Sequence, residues 1–149
     1  MTRPIFILNG PNLNLLGQRE PHIYGSQTLA ELASACRDHA SLAGASIDFR
    51  QTNQEGEFIS WLHEARAQAR AVILNPAAWT HYSIALHDAL KALDCPVIEV
   101  HLSNPASRES FRHVSFVAPV VTGTIAGLGA KGYLLALDAC FHLAPGARP

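Results

Sequence analysis

Apolar and polar positions change period repeatedly along these 149 residues. Ile5-Phe6-Ile7-Leu8 is wholly apolar, as a strand buried on both faces reads. It breaks into the turn cluster Asn9-Gly10-Pro11-Asn12, and a polar segment then runs to Gly25. An irregular stretch of roughly 15 residues predicts a functional loop or lid, with a surface loop as the competing reading. Leu29, Leu32, Ala33, Cys36, Ala40 and Ala43 recur at helical spacing, opened by Thr28 with Glu31 three residues on and closed by Gly44. Ile47, Phe49 and Gln51 alternate with polar residues, which predicts a half-buried strand near a sheet edge. Phe58, Ile59, Leu62, Ala65 and Ala69 describe a second helix, and Ala71 to Leu74 a buried strand ending at Asn75-Pro76. A third helix is predicted from Tyr82 to Leu93, and a fourth strand over Val97 to His101. A helical turn over Arg108 to Arg112 and a fifth strand over Ser115 to Val121 follow. The last helix carries Tyr133, Leu134, Leu137 and Phe141, entered through Gly123, Gly127, Gly129 and Gly132.

Strands alternating with helices in this way predict an α/β chain with a parallel sheet covered on both faces. The wiring expected is a flavodoxin-like three-layer sandwich, five strands in the order 2-1-3-4-5. It should form one domain over residues 1–149, with 145–149 as a frayed tail.

Composition narrows the function classes. Charged residues make up only 15% and apolar ones 48%, which is lean in charge for a monomer's surface and points to subunit interfaces. A net charge of -1 gives no electrostatic footprint for nucleic acid. No apolar run spans a bilayer, and nothing reads as a secretory leader, so neither nucleic acid nor membrane is expected as a partner and the cytoplasm is the expected location. Cys36, Cys95 and Cys140 are widely spaced and read as small core residues in a reducing compartment.

Ligands of such sheets bind beyond the carboxyl ends of the strands, where strand order reverses. Strand one delivers Asn9 and Asn12, then Arg19 and Tyr24. Strand three delivers Asn75, then Thr80 and His81; strand four ends in Glu99 and His101, followed by Ser103 and Asn104. Alternation puts Glu99 and His101 on one side of their strand, where the carboxylate can orient the imidazole. Each group also has a plainer role: the Asn residues as backbone partners, His81 as a turn residue, His101 as a core histidine. Arg108 and Arg112, four apart, are either a solvated face or a clamp for an anion. There is no GxGxxG, GxSxG or Walker lysine, no HxH or HExxH spacing for a metal, and neither Lys91 nor Lys131 follows a strand. Proton transfer without a cofactor remains. A non-catalytic sensor of a small anion and a flavin or nucleotide carrier are the alternatives.

These residues resemble the type II 3-dehydroquinate dehydratases of the shikimate pathway, the route to chorismate and the aromatic amino acids. The likeness rests on Ile7 through Gly17, Arg19-Glu20-Pro21 with Tyr24-Gly25, and Ile73-Leu74-Asn75-Pro76. It continues through Thr80-His81, Asp88-Ala89, Ile98 to Asn104, Gly127-Leu128-Gly129 and Gly132-Tyr133. The resemblance implies a flavodoxin-like lyase without cofactor or metal that acts on 3-dehydroquinate as a dodecamer, a tetramer of trimers. It implies that Tyr24 is the base, held as phenolate by Arg19, since a fixed cation favours a phenol's charged form. Asn12 would help hold a water against the enolate, and His101, oriented by Glu99, would protonate the departing hydroxyl. Asn75, His81, Leu102, Ser103 and Arg112 would bind substrate, and Asp88 would serve the neighbouring subunit's site. Two departures stand out. Ala77-Ala78-Trp79 replaces a turn that often contains glycine, and would narrow or stiffen the wall near His81. His87 replaces an arginine, and would make the assembly pH-sensitive.

Overall fold

The computed structural model describes residues 2–146, so part of the predicted frayed tail, 147–149, lies outside the described residues. Five parallel strands, β1 (Ile5–Asn9), β2 (Ile47–Gln51), β3 (Ala71–Asn75), β4 (Val97–His101) and β5 (Gly123–Ala126), form one sheet in the order β2-β1-β3-β4-β5. The predicted flavodoxin-like topology is therefore the observed one. The helices are α1 (Pro21–Tyr24), α2 (Leu29–Leu42), α3 (Glu55–Gln68), α4 (Ile84–Lys91) and α5 (Lys131–Leu143).

Period-two alternation divides the core. Ile5, Ile7, Ile73, Ile98 and Val100 pack with Leu32 and Cys36 of α2 and with Tyr133, Leu137 and Cys140 of α5. Phe6, Leu8, Val72, Leu74 and Val97 face the other way, against Phe58 and Leu62 of α3 and Leu86 and Leu90 of α4. Strands sandwiched on both faces must be apolar throughout, which is why β1 and β3 read as unbroken runs. Burial pushes the thiols of Cys36 and Cys140 up to about 12, so both remain protonated core groups. Thr28 caps α2 as its spacing predicts, its hydroxyl accepting from the Glu31 amide at 3.2 Å. No helix among the described residues is long and apolar enough to cross a membrane.

Three expectations need correction. The fifth strand is Gly123–Ala126, not Ser115–Val121. The Ser115 hydroxyl accepts the amides of Val117 and Ala118 and folds that apolar run into a turn, and Pro119 has no amide to give a ladder. The third helix is shorter than Tyr82 to Leu93, because Ser83 caps it by accepting from the Leu86 amide at 3.0 Å and Lys91 ends it. Within the long polar segment after β1 the chain is ordered into a 3-10 turn at Leu13–Leu15 and the short α1. The helical turn expected over Arg108 to Arg112 is a 3-10 turn at Ser110–Arg112, with a second at Pro105–Ser107 before it.

The β1 and β3 exits are locked together. Gly10 donates to the Asn75 carbonyl at 2.8 Å, and a Cβ on Gly10 would stand 2.8 Å from the Pro76 oxygen, so no other residue fits. Next to it Ala77 adopts φ 51°, in the left-handed region that suits glycine, at the turn where the resembling family often carries one. Ala77→Gly is expected to raise unfolding stability by about 0.5–1 kcal/mol, the left-handed penalty less glycine's extra chain entropy. Urea unfolding of the two proteins measures it, and an equal or lower midpoint in the variant would count against strain here.

Candidate active site

The sheet order reverses between β1 and β3, and their register brings Asn9 and Asn75 side by side at the carboxyl edge. Both are buried, and both are tied to α5: Tyr133 Oη donates to Asn9 Oδ1 at 2.6 Å, and Asn75 Nδ2 donates to the same phenol oxygen at 3.0 Å. Asn9 Nδ2 also donates to the Arg50 carbonyl, and Asn75 Oδ1 accepts from the Ala77 amide. Burial pushes the Tyr133 phenol far up, so it keeps its proton and stays a donor. Asn9 is thus wholly engaged as scaffold, while Asn75 reaches the cleft.

That cleft opens beyond the carboxyl ends of β1, β3 and β4 and encloses about 600 Å³ with the solvent in its mouth included. Of the residues singled out in the sequence, Asn12, Arg19, Tyr24, Asn75, His81, His101, Leu102, Ser103 and Arg112 all line it. Glu99 sits behind His101, 1% exposed. Asp88 is exposed on α4 and does not line the cleft of its own chain. Among the described residues, three that are not glycine have left-handed backbone, Asn12, Glu20 and Ala77; two of these line the cleft and the third starts the helix that carries Tyr24. Strain gathered in this way is commonest where geometry serves a ligand.

Two arginines attend Tyr24. The Arg19 guanidinium carbon stands 4.9 Å from the ring centroid and that of Arg108 5.3 Å. Arg108 is also anchored, Nη1 donating to Ser103 Oγ at 3.0 Å. Arg19 remains 38% exposed and lies 3.6 Å from Glu20. Arg112 is held by Glu109 at 2.5 Å. His81 Nδ1 pairs with the Val114 carbonyl at 2.8 Å, so that nitrogen donates and Nε2 is left for a ligand. Trp79, part of the departure from the family's turn, points away into the core and meets Phe58 edge-on at 5.4 Å; Ala77 and Ala78 form the cleft wall.

On β4 the predicted pair is made. His101 Nε2 lies 2.6 Å from Glu99 Oε2, and Thr80 Oγ1 donates to the same oxygen at 2.5 Å. Burial alone would push the Glu99 carboxyl up. The hydrogen bond and charge of the His101 ring, with donors from Thr80 and Thr124, outweigh burial and hold it below the usual carboxylate range. A lowered folded pKa means the pair's stability is fully present above the unfolded value of about 4.3 and is lost as pH falls through the folded one. Thermal melts from neutral pH down to about pH 3 should therefore show stability declining once pH drops below about 4.3. The decline should be shallower in Glu99→Gln, and equal slopes would remove Glu99 as a cause.

Residues 3–141 match the family described as dehydroquinase class II. The chain belongs to the class II dehydroquinase family. Its members are hydro-lyases, and the chain is an enzyme of that family. It is 61% identical over 149 residues to a 3-dehydroquinate dehydratase of Hyphomonas neptunium, covering 99% of each chain. It is 56% identical to 3-dehydroquinate dehydratase 2 of Pseudomonas aeruginosa, over 93% of both. The crystal structure of a type II dehydroquinase from Propionibacterium acnes superposes with a TM-score of 0.89 at 51% identity, over 93% of this chain and 96% of that one.

For a class II dehydroquinase cleft, sequence reasoning passed over two residues. Beside Arg112, Arg108 reads as a solvated face or as one of two candidates for an anion clamp, yet it faces Tyr24; its spacing from Ser103, which it bonds, carries no signal. Tyr133 read as an apolar helix position. Its signal was available, because a tyrosine inside a buried helix needs a partner for its hydroxyl.

Proposed function

We propose that the chain, as a single catalytic domain, dehydrates 3-dehydroquinate to 3-dehydroshikimate and water, the dehydratase step of the shikimate pathway, without a cofactor. The observation that carries this reading is one cleft lined by both Tyr24 and His101, each with its own electrostatic support. Tyr24 as phenolate takes the proton from the carbon beside the ketone and becomes the neutral phenol; two permanent cations, Arg19 and Arg108, stand over its ring. The electron pair moves into an enolate, which Asn12 stabilises through a bound water. The carbon–oxygen bond then breaks, and the leaving hydroxyl takes a proton from His101 to depart as water. With Nε2 turned to Glu99, Nδ1 is the ring nitrogen that delivers it. Asn75, His81, the amides of Leu102 and Ser103, and Arg112 bind the hydroxyls and the carboxylate.

The same reading includes a homo-oligomer, a dodecamer built as a tetramer of trimers in which Asp88 serves the neighbouring cleft. Exposed apolar side chains support it: Tyr82 and Ile84 on one segment, Phe111, Val114 and Phe116 on another. Bonds from His81 to Val114 and from the Phe116 amide to the Thr80 carbonyl bring the two segments together as one apolar surface. His87 lies against it, Nδ1 donating to the Phe116 carbonyl at 2.6 Å.

An ultraviolet assay for the conjugated enone product tests the reaction. Purified protein should generate the absorbance from 3-dehydroquinate and keep its activity after borohydride treatment with substrate, since no imine forms. Binding without turnover would replace the reading with an anion sensor. Light scattering should give a mass near twelve chains.

A further inference from the structure

A line of hydroxyls runs from the surface to the back of Glu99. The Ser115 hydroxyl oxygen accepts the amide hydrogens of Val117 at 3.2 Å and Ala118 at 2.9 Å. It lies 3.0 Å from Thr80 Oγ1, which is 2.5 Å from Glu99 Oε2. The donors can be assigned by counting lone pairs. Two amides fill the Ser115 oxygen, so the hydrogen between the hydroxyls belongs to Ser115. Thr80 then has its own hydrogen left for Glu99. The chain of donors therefore points one way, from backbone amides to Ser115 to Thr80 to the carboxylate, and from the opposite side His101 meets the same oxygen at 2.6 Å. The Phe116 amide, donating to the Thr80 carbonyl at 2.8 Å, pins the loop so that the line stays closed.

We infer that Thr80, supported by Ser115, is a positioning residue for the dehydration: it keeps Glu99 an acceptor and thereby fixes the His101 proton on Nε2, leaving Nδ1 for the ligand. The inference rests on the reaction proposed above. Thr80 is 1% exposed and does not line the cleft, so it acts through Glu99 and not on the substrate. Without its hydroxyl, a lone pair of Oε2 is freed, the carboxylate is more easily protonated, and the imidazole can turn over or change tautomer.

The test compares Thr80→Val, Thr80→Ser and Ser115→Ala in the full-length protein. Thr80→Val should lower kcat by roughly 10-fold with KM nearly unchanged, and move the acid limb of the kcat profile to higher pH. Thr80→Ser should recover most of the loss, and Ser115→Ala should shift the profile the same way by a smaller step. Nitrogen-15 spectra of the imidazoles in ligand-free protein should show the His101 proton on Nε2 in the wild type and a tautomer mixture in Thr80→Val. These spectra need no turnover, so an inactive wild type would overturn the proposed reaction while still testing the donor chain. Wild-type tautomer and pH profile in Thr80→Val, or a serine variant no better than valine, would overturn the inference. Should Thr80→Val fail to fold, an unchanged profile in Ser115→Ala overturns it equally.

Discussion

Tyr24→Phe is expected to lower kcat by about 10³-fold while KM changes little, the signature of an interaction made in the transition state and not in substrate binding. Phenylalanine keeps the ring against the Arg19 and Arg108 guanidiniums, and it keeps the contact of this half-buried side chain with the core. Only the oxygen is lost. The cleft's other polar groups are untouched, so the ligand should still bind, and the variant should remain folded with an unaltered melting temperature. Steady-state kinetics with the enone assay, together with calorimetric binding of substrate, separate the two effects. A variant within tenfold of wild-type kcat would mean that some other group removes the proton.

Glu99→Gln is expected to lower kcat by roughly 10²-fold for a different reason. The amide oxygen can replace Oε2 and still accept from His101 and Thr80, and the amide nitrogen then faces the Thr124 hydroxyl, which can accept from it. Geometry survives and the charge does not. The neutral amide gives the ring no charge partner and holds it by a weaker, neutral hydrogen bond, so the proposed acid is less firmly placed. Stability near neutral pH should fall by only about 1 kcal/mol, the difference between a charge-assisted and a neutral hydrogen bond. Kinetics and urea unfolding measure the two quantities. Unchanged kcat would show that Glu99 is a core polar group with no part in the reaction.

Sequence patterns reached much of this arrangement because they obey short-range rules. Alternation placed Glu99 and His101 on one side of β4, and the unbroken apolar runs announced strands buried on both faces. Apolar content misled at Ser115 to Val121, where a hydroxyl satisfying two amides and a proline outweighed propensity, while the true edge strand Gly123–Ala126 is half-exposed and carries two small residues. Arg108 and Tyr133 were hidden for a different reason. Each acts through a partner distant in the sequence, Arg108 with Tyr24 and Tyr133 with Asn9, and such pairings leave no trace in local spacing.

The floor of the cleft has a consequence for how the molecule is made. Asn9 emerges early in synthesis, yet the phenol that braces it belongs to α5, 124 positions later. A nascent chain that has completed β1 to β4 can pair those strands, but Asn9 and Asn75 at their ends lack the Tyr133 brace until the final helix leaves the ribosome tunnel. Competence to bind should arrive last, after most of the sheet, and a chain stopped before Lys131 should lack it altogether.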